Sequence, residues 1–499
     1  MSKQSRGALL AMINLDAESN VPKFRQLGSQ IRQAILKEEL VPGSRLPSTR
    51  ELARELSISR LTVQNTYEQL ISEGYLEASV GSGSFVKPIR SNDQQPRRPS
   101  NNQEQGVIQN NCTLSRRSQR LSASPKIDHQ VPRAFDGSIP ALDRFPIKVW
   151  NKIYSRHCRR AQRELLCYGD SAGYYPLRQS IADYLRDARG VHCSPEQVLV
   201  VSGAQQAFCL STWALLDPGE PAWVEDPGHI SGRDALFGAG AKLVPVPVDE
   251  EGISIQEGVR RETSPKLIMV TPSHQHPLGT TTSLSRRLDL LDFANKAGSW
   301  LIEDDYDSEF RFVGRPLAAM QGIDPYQQVI YVGTFSKVLF PSLRLAYVVV
   351  PKALINTFTA VNGVLDRAAP TLPQAVLSDF IDEGHFTQHI RRMRNLYAER
   401  QQSLLEVLAA ELGDLLRPEA TDSGMHLMAW LPECLDDKKV SAAAAQKGVD
   451  VQPLSIYCVK ESRPPGLLLG FSCIGQDDMT SAARILAVVI REQLAALSG

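Results

Sequence analysis

From Pro132 onward, short apolar runs recur between helical stretches, and that alternation most constrains what the chain can fold into. The runs are Val198–Val201, Trp223-Val224, Leu243–Val246, Leu267–Val270, Trp300–Ile302, Val329–Val332 and Leu345–Val350. Apolar runs alternating with helices predict an α/β body with a mostly parallel sheet. Nearly all of the runs end in polar or glycine-containing turns. In such sheets the ligand lies beyond the carboxyl ends of the strands, so those turns are where chemistry is expected.

The most telling turn follows Tyr331-Val332-Gly333, where Thr334-Phe335-Ser336 leads to Lys337, with Arg344 seven residues further on. A lysine amine in a semi-enclosed pocket can lose its proton and attack an aldehyde to form a Schiff base. Thr334 and Ser336 add hydroxyl donors, and Arg344 adds a planar fork that suits phosphate. The bland alternative is a solvated lysine at a strand end. Three other turns bear on the choice. Ser202-Gly203-Ala204-Gln205 opens a helix with free backbone N–H groups, which favours an anion. Glu303-Asp304-Asp305-Tyr306-Asp307 is a dense acidic cluster at a strand end. It could hold Mg²⁺ or Mn²⁺, or Asp304 could sit under a pyridine nitrogen with Tyr306 near a ring hydroxyl. Trp223-Val224-Glu225-Asp226-Pro227-Gly228-His229 places His229 either over a ring or simply at the surface.

The N-terminal part reads differently. Phe24, Leu27, Ile31 and Ile35 recur at helical spacing, and Val41-Pro42-Gly43 stops that helix. Ser48 and Glu51 form a capping-box signature for a second helix that turns Leu52, Ala53 and Leu56 inward. A third helix starts at about Arg60 after Ser57-Ile58-Ser59, with Val63, Tyr67, Leu70 and Ile71 as its buried stripe. Arg60, Thr62, Gln64 and Asn65 stay on its open side, which suits the reading of base edges in a major groove. Arg50 would approach phosphates, and a hairpin turning at Gly81-Ser82-Gly83 could reach the next groove. A small solvated helical domain is the alternative.

Length and charge fit this division. A chain of 499 residues exceeds one ordinary domain, and two or three are expected. Net charge is zero, yet residues 1–131 hold 18 Lys/Arg against 12 Asp/Glu. That excess suggests that the N-terminal part meets a polyanion. Residues 88–131 are rich in Asn, Gln, Ser, Arg and Pro without apolar periodicity, so a flexible linker is expected there. Its Arg97, Arg98, Arg116, Arg117 and Arg120 would add non-specific phosphate contacts or keep the tether soluble. The domains are therefore read as 14–87, 88–131 and 132–499. Eight cysteines without a C-x-x-C pair, no export signal and no membrane span predict a cytoplasmic protein with reduced thiols and no bound metal.

Two resemblances sharpen these readings. Arg45-Leu46-Pro47-Ser48-Thr49-Arg50-Glu51-Leu52-Ala53, with Gly74-Tyr75-Leu76 and Gly81-Ser82-Gly83-Ser84-Phe85-Val86, resembles the winged helix-turn-helix of GntR-type bacterial repressors. The turns of residues 132–499 together resemble fold-type I aminotransferases that use pyridoxal 5′-phosphate (PLP), with a mostly parallel large domain and a smaller C-terminal α+β subdomain. Joined, the two resemble MocR/GabR-type transcription regulators. The resemblance implies that Lys337 forms the Schiff base, Asp304 partners the pyridine nitrogen, and Tyr306 lies near the ring oxygen. It implies a phosphate cup of Ala204, Gln205, Thr334 and Arg344, completed by Tyr168 from the other subunit of a head-to-tail homodimer. Residues DNA-facing by the same resemblance are Arg50, Ser59, Arg60, Thr62, Gln64, Asn65 and Ser82.

Two positions depart from the family pattern. His276 stands where working aminotransferases usually carry Asn, and Leu468 stands where many carry a carboxylate-clamping arginine. Arg463 is near in sequence, with its role open. The expected function is a regulator that binds double-stranded operator DNA and senses an amine, an amino acid or PLP itself. An active aminotransferase with an accessory DNA-binding domain is the alternative. A degenerate body that only dimerises is a third reading, against which intact Lys337, Asp304, Tyr306 and Arg344 argue.

Overall fold

In the computed structural model of the chain, the described residues are 13–16, 18–79, 82–88, 113–125, 133–159, 163–314, 317–460 and 463–498. They fall into two compact units, residues 1–110 and 111–499.

In the first unit, helices α1 (Lys23–Leu36), α2 (Thr49–Glu55) and α3 (Arg60–Ser72) pack around Leu27, Ile31, Leu52, Val63 and Leu70. Their starts are set by local chemistry. Ser48 accepts from the Glu51 N–H at 3.2 Å, and Ser59 accepts from the Thr62 N–H at 3.0 Å. Each satisfies one of the donors that a helix start leaves without an intrahelical acceptor. The buried Tyr67 hydroxyl donates to the Pro47 carbonyl at 3.0 Å, tying α3 to the chain entering α2. Strands β1 (Leu76–Ser79) and β2 (Gly83–Val86) form the antiparallel wing, with Leu76 opposite Val86. Gly81, at the tip expected for that hairpin, lies outside the described residues.

In the second unit the expected alternation is present: six of the seven apolar runs lie within strands, and the seventh, Leu345–Val350, extends one residue beyond its strand at each end. One eight-stranded sheet has the order β3-β10-β9-β8-β7-β4-β5-β6. Its strands are β3 (Val198–Val201), β4 (Pro221–Asp226), β5 (Lys242–Asp249), β6 (Gly252–Ile253), β7 (Leu267–Val270), β8 (Trp300–Asp305), β9 (Val329–Thr334) and β10 (Ala346–Val349). Strands β5, β4, β7, β8 and β9 pair in parallel, whereas β10 runs antiparallel between β9 and β3. Alternate residues feed opposite layers, as a pleated strand requires. Leu199, Val201, Ile330 and Val332 share a cluster with Phe208, while Val198, Val200, Tyr331 and Tyr347 share another with Leu177, Ile181 and Leu185. A smaller antiparallel sheet follows, in the order β11 (Arg417–Pro418), β12 (His426–Trp430), β14 (Gly466–Gly470), β13 (Gln452–Pro453). No helix among the described residues is long and apolar enough to cross a membrane.

One expectation needs correcting. Residues 88–131 were expected to be a flexible linker throughout, and Arg97 and Arg98 lie outside the described residues. Residues 113–125 are described, and they contain helix α4 (Arg116–Ser122), started by a Ser115 cap. Its side chains find partners on a later helix of the body, spanning Ile230–Gly238. Arg117 donates to the Gly238 carbonyl at 2.7 Å, the Arg120 guanidinium lies 4.0 Å from the Phe237 ring centroid, and the Ser124 hydroxyl donates to Asp234. A polar segment without periodicity is held by specific side-chain contacts, which composition does not reveal. Replacing Arg120 by Ala removes a cation–π contact of about 1 kcal/mol. Amide exchange across residues 116–122 is expected to quicken by roughly fivefold while that of β3 is unchanged, as hydrogen-exchange mass spectrometry would record.

Candidate functional site

The strands with parallel pairing all end at one edge of the large sheet, and a cavity of about 470 Å³ opens there. Ala204, Gln205, His229, His276, Asp304, Tyr306, Thr334, Ser336, Lys337 and Arg344 all line it. Ten of the eleven residues expected to hold the cofactor are thus brought together. The exception, Tyr168, is 80% exposed and outside this cavity, with the Arg367 guanidinium 4.0 Å over its ring.

The turn after β9 presents Lys337. Its Nζ donates to the Ser138 carbonyl at 2.8 Å. Burial pulls the amine below its ordinary pKa, against the opposing pull of Asp136, Asp307 and Asp304. Beside it, the Thr334 hydroxyl accepts from the Ser336 N–H at 3.2 Å, while the buried Ser336 Oγ has no partner. The strand after this turn is reversed, so Arg344 enters the same corner. Ala346 pairs with both Val201 and Thr334, which sets Arg344 between the turns that end β3 and β9. Gly203 allows the approach. It has φ +117°, and a Cβ there would lie 3.0 Å from an Arg344 terminal nitrogen. The helix that Gly203 introduces (Ala204–Leu215) offers its first N–H groups to the same space.

Strand alternation divides the acidic cluster. Asp304 faces the cavity, 2% exposed, with Oδ2 lacking a hydrogen-bond partner. His229 Nδ1 is 3.3 Å from that oxygen but not aligned for a hydrogen bond. Asp305 turns the other way, accepting from Arg189 at 2.7 Å and from the Tyr331 hydroxyl at 2.5 Å. Glu303 accepts from the Met320 and Gln321 N–H groups at 2.8 and 3.0 Å. Asp307 lies 2.9 Å from His274 Nδ1.

Several contributors were not picked out from the sequence. His274 Nδ1 is also 3.0 Å from the Tyr306 hydroxyl. With the Nδ1 proton directed at Asp307, the Tyr306 hydroxyl keeps its own proton for the cavity. His426, on β12, comes within 5.4 Å of the His276 ring, and Ser138 and Asp136 come from a turn 199 residues before Lys337. No spacing signal links such segments. Arg463 is settled by geometry: its guanidinium donates to the Val248 carbonyl, and it does not line the cavity, whereas Leu468 does. In the first unit, Arg50, Arg60, Gln64, Asn65 and Ser82 are exposed. Ser59 is occupied as a cap, the Thr62 hydroxyl lies 2.8 Å from the Ser59 hydroxyl, and Gln64 donates to Glu68 at 3.0 Å.

The arrangement fits PLP. A buried amine suits its aldehyde, the partnerless Asp304 oxygen suits a protonated ring nitrogen, and the Arg344, Ser336 and helix-start corner suits a phosphate.

Fold and site define a helix-turn-helix protein with an aminotransferase-type body. Residues 23–86 match the bacterial regulatory proteins of the gntR family, and residues 140–469 match aminotransferase class I and II. The "Probable rhizopine catabolism regulatory protein MocR" of Rhizobium meliloti is 41% identical over 470 residues, 94% of each chain. YdeL of Bacillus subtilis, an uncharacterized HTH-type transcriptional regulator, is 33% identical over 95% of this chain and 97% of its own. Among solved structures, the Pyrococcus horikoshii kynurenine aminotransferase complexed with PMP has a TM-score of 0.68 at 25% identity, covering 77% of this chain and 96% of its own. The α-aminoadipate aminotransferase LysN of Thermus thermophilus, complexed with N-(5′-phosphopyridoxyl)-L-leucine, has a TM-score of 0.68 at 27% identity, with the same coverage. The chain belongs to the MocR-type family of transcriptional regulators, a GntR helix-turn-helix joined to an aminotransferase class I and II domain.

Burial also tunes a carboxyl behind the site. Glu303 is buried completely, which pushes its carboxyl up to about 7 despite two N–H donors. Between the ordinary carboxylate range and about 7, the folded chain binds this proton more tightly than the unfolded chain does. Its stabilising contribution is therefore full at low pH and lost as pH rises through about 7. In Glu303→Gln, denaturant unfolding followed across that window is expected to fall off less steeply, by up to about 1.4 kcal/mol per pH unit.

Proposed function

We propose that this regulator carries PLP on Lys337 and that a small amine, exchanging with Lys337 at the cofactor, alters how the helix-turn-helix unit engages double-stranded operator DNA. The observation that carries the reading is the meeting of Lys337, partnerless Asp304 Oδ2 and the Arg344 corner in one cavity.

When bound, PLP supplies an aldehyde that condenses with primary amines and a ring that withdraws electrons when protonated. The chain's own residues do the rest. Lys337, its pKa lowered by burial, offers a greater share of neutral amine than an exposed lysine would. Asp304 Oδ2 would hold a proton at the ring nitrogen, and His229 would flank the ring. Arg344, Thr334, Ser336 and the N–H groups of Ala204 and Gln205 would bind phosphate, with the Tyr306 hydroxyl proton turned towards the ring oxygen. Tyr168, exposed and outside this cavity, would complete the site of a second copy in a head-to-tail homodimer. For the amine to act as a signal it must bind two states of the dimer with different affinity.

On the DNA side, exposed Arg60, Gln64 and Asn65 at the open start of α3 support base contacts, and Arg50 supports a phosphate contact. Removing a good base contact costs about 1–3 kcal/mol. Arg60→Ala with Gln64→Ala is thus expected to weaken binding to the chain's own upstream region by tenfold or more in a gel shift. Arg50→Ala is expected to weaken all sequences alike and to lower the salt slope by about one. Lys337→Ala is expected to abolish the visible absorption acquired by the purified chain with PLP. Retention of that band in the variant would remove Lys337 from its assigned role.

A further inference from the structure

The substrate end of the cavity lacks a feature that an α-amino acid needs. A carboxylate taken out of water requires a cation or a set of donors to replace its hydration. Among the described residues lining the cavity, the only Lys or Arg side chains are Lys337 and Arg344, both assigned above to the cofactor. The third arginine that sequence brings near, Arg463, is turned onto the Val248 carbonyl. In its place Leu468, on β14, closes the floor. The side chain lies against Gly137, where a Cβ would sit 2.5 Å from Leu468 Cδ2, so leucine and glycine fill this corner together.

What the cavity does offer is neutral. His426 is 2% exposed, and its Nε2 has no partner. Burial, the neighbouring His274 and Lys337 hold the ring well below the ordinary histidine range. A neutral imidazole carries one N–H and one lone pair, and a hydroxyl group can pair with either. His276 Nδ1 is likewise buried without a partner, and this ring too is held neutral by burial and by His426 and His229. Asp136, buried beside the lysine, adds negative charge at the same end. Neutral rings give an anion no counter-charge and the Asp136 carboxylate repels it, whereas a hydroxyl can donate to or accept from either ring nitrogen.

We propose that this end of the cavity selects a primary amine bearing hydroxyl groups and no carboxylate beside its amino group, with Leu468 and His426 as the discriminating residues. The inference rests on the cofactor reading above.

The test uses a matched pair on the PLP-loaded full-length chain. Serinol is serine with its carboxylate replaced by a hydroxymethyl group. Both are titrated while the absorption of the bound cofactor and the thermal unfolding midpoint are followed. A carboxylate left without a partner costs more than about 1.4 kcal/mol, a factor of ten. Serinol is therefore expected to half-saturate at a concentration at least tenfold below that of L-serine. Leu468→Arg should narrow or reverse that preference, and His426→Phe should weaken serinol while leaving isopropylamine unchanged. L-serine matching or exceeding serinol would overturn the inference and leave the cofactor reading standing. So would silence from both compounds in a chain whose cofactor band is present and is lost in Lys337→Ala. A chain that takes up no PLP would overturn the cofactor reading itself, and this inference with it.

Discussion

Strand β10 runs backwards between β3 and β9, and the phosphate corner depends on that reversal. Were β10 parallel to its neighbours, Arg344 would emerge at the far edge of the sheet. Antiparallel pairing instead puts the residues just before β10 beside the ends of β3 and β9. The fit is close. Gly333 lies opposite Tyr347, and a Cβ on that glycine would fall 2.3 Å from the phenol ring, so any larger residue would push the strands apart. Tyr347 in turn packs against Tyr331 and Phe335. The register that aims Arg344 is thus fixed by an aromatic layer that begins at Tyr347, three residues beyond the cation itself.

Four carboxylates within five residues would repel one another if they shared a space. The pleat of β8 turns Asp304 away from Glu303 and Asp305, and three of the four have partners: two backbone N–H groups for Glu303, Arg189 and Tyr331 for Asp305, His274 for Asp307. Two oxygens of the cluster are left without a hydrogen-bond partner, Asp304 Oδ2 and Asp305 Oδ1. Of these two residues, Asp304 lines the cavity and Asp305 does not.

Much of this was legible in the sequence because strands announce themselves as apolar runs and ligands gather at their ends. Lys337, Asp304, Tyr306 and Thr334 each follow such a run within a few residues, so locating the run located the residue. Ala204 and Arg344 needed only the added knowledge that their turns flank one corner. His426, Ser138 and Asp136 were invisible for the opposite reason. They reach the site from β12 and from an irregular turn near residue 137, and nothing local to those segments marks them as neighbours of Lys337. The same limit hid α4. A polar stretch can be ordered by an arginine on a phenyl ring and a few hydrogen bonds, none of which leaves a periodic trace. The caps differ again: the exposed Ser59, expected to face DNA, also accepts from the Thr62 N–H and so starts α3.

Helix α4 has its seat on the nine-residue helix Ile230–Gly238. A rod of that length spans about 13 Å. At its leading end is His229, against the oxygen of Asp304 in the cavity, and at its trailing end is Phe237, beneath Arg120. One short helix therefore joins a cavity-lining residue at its start to the contacts of residues 117–124 at its end.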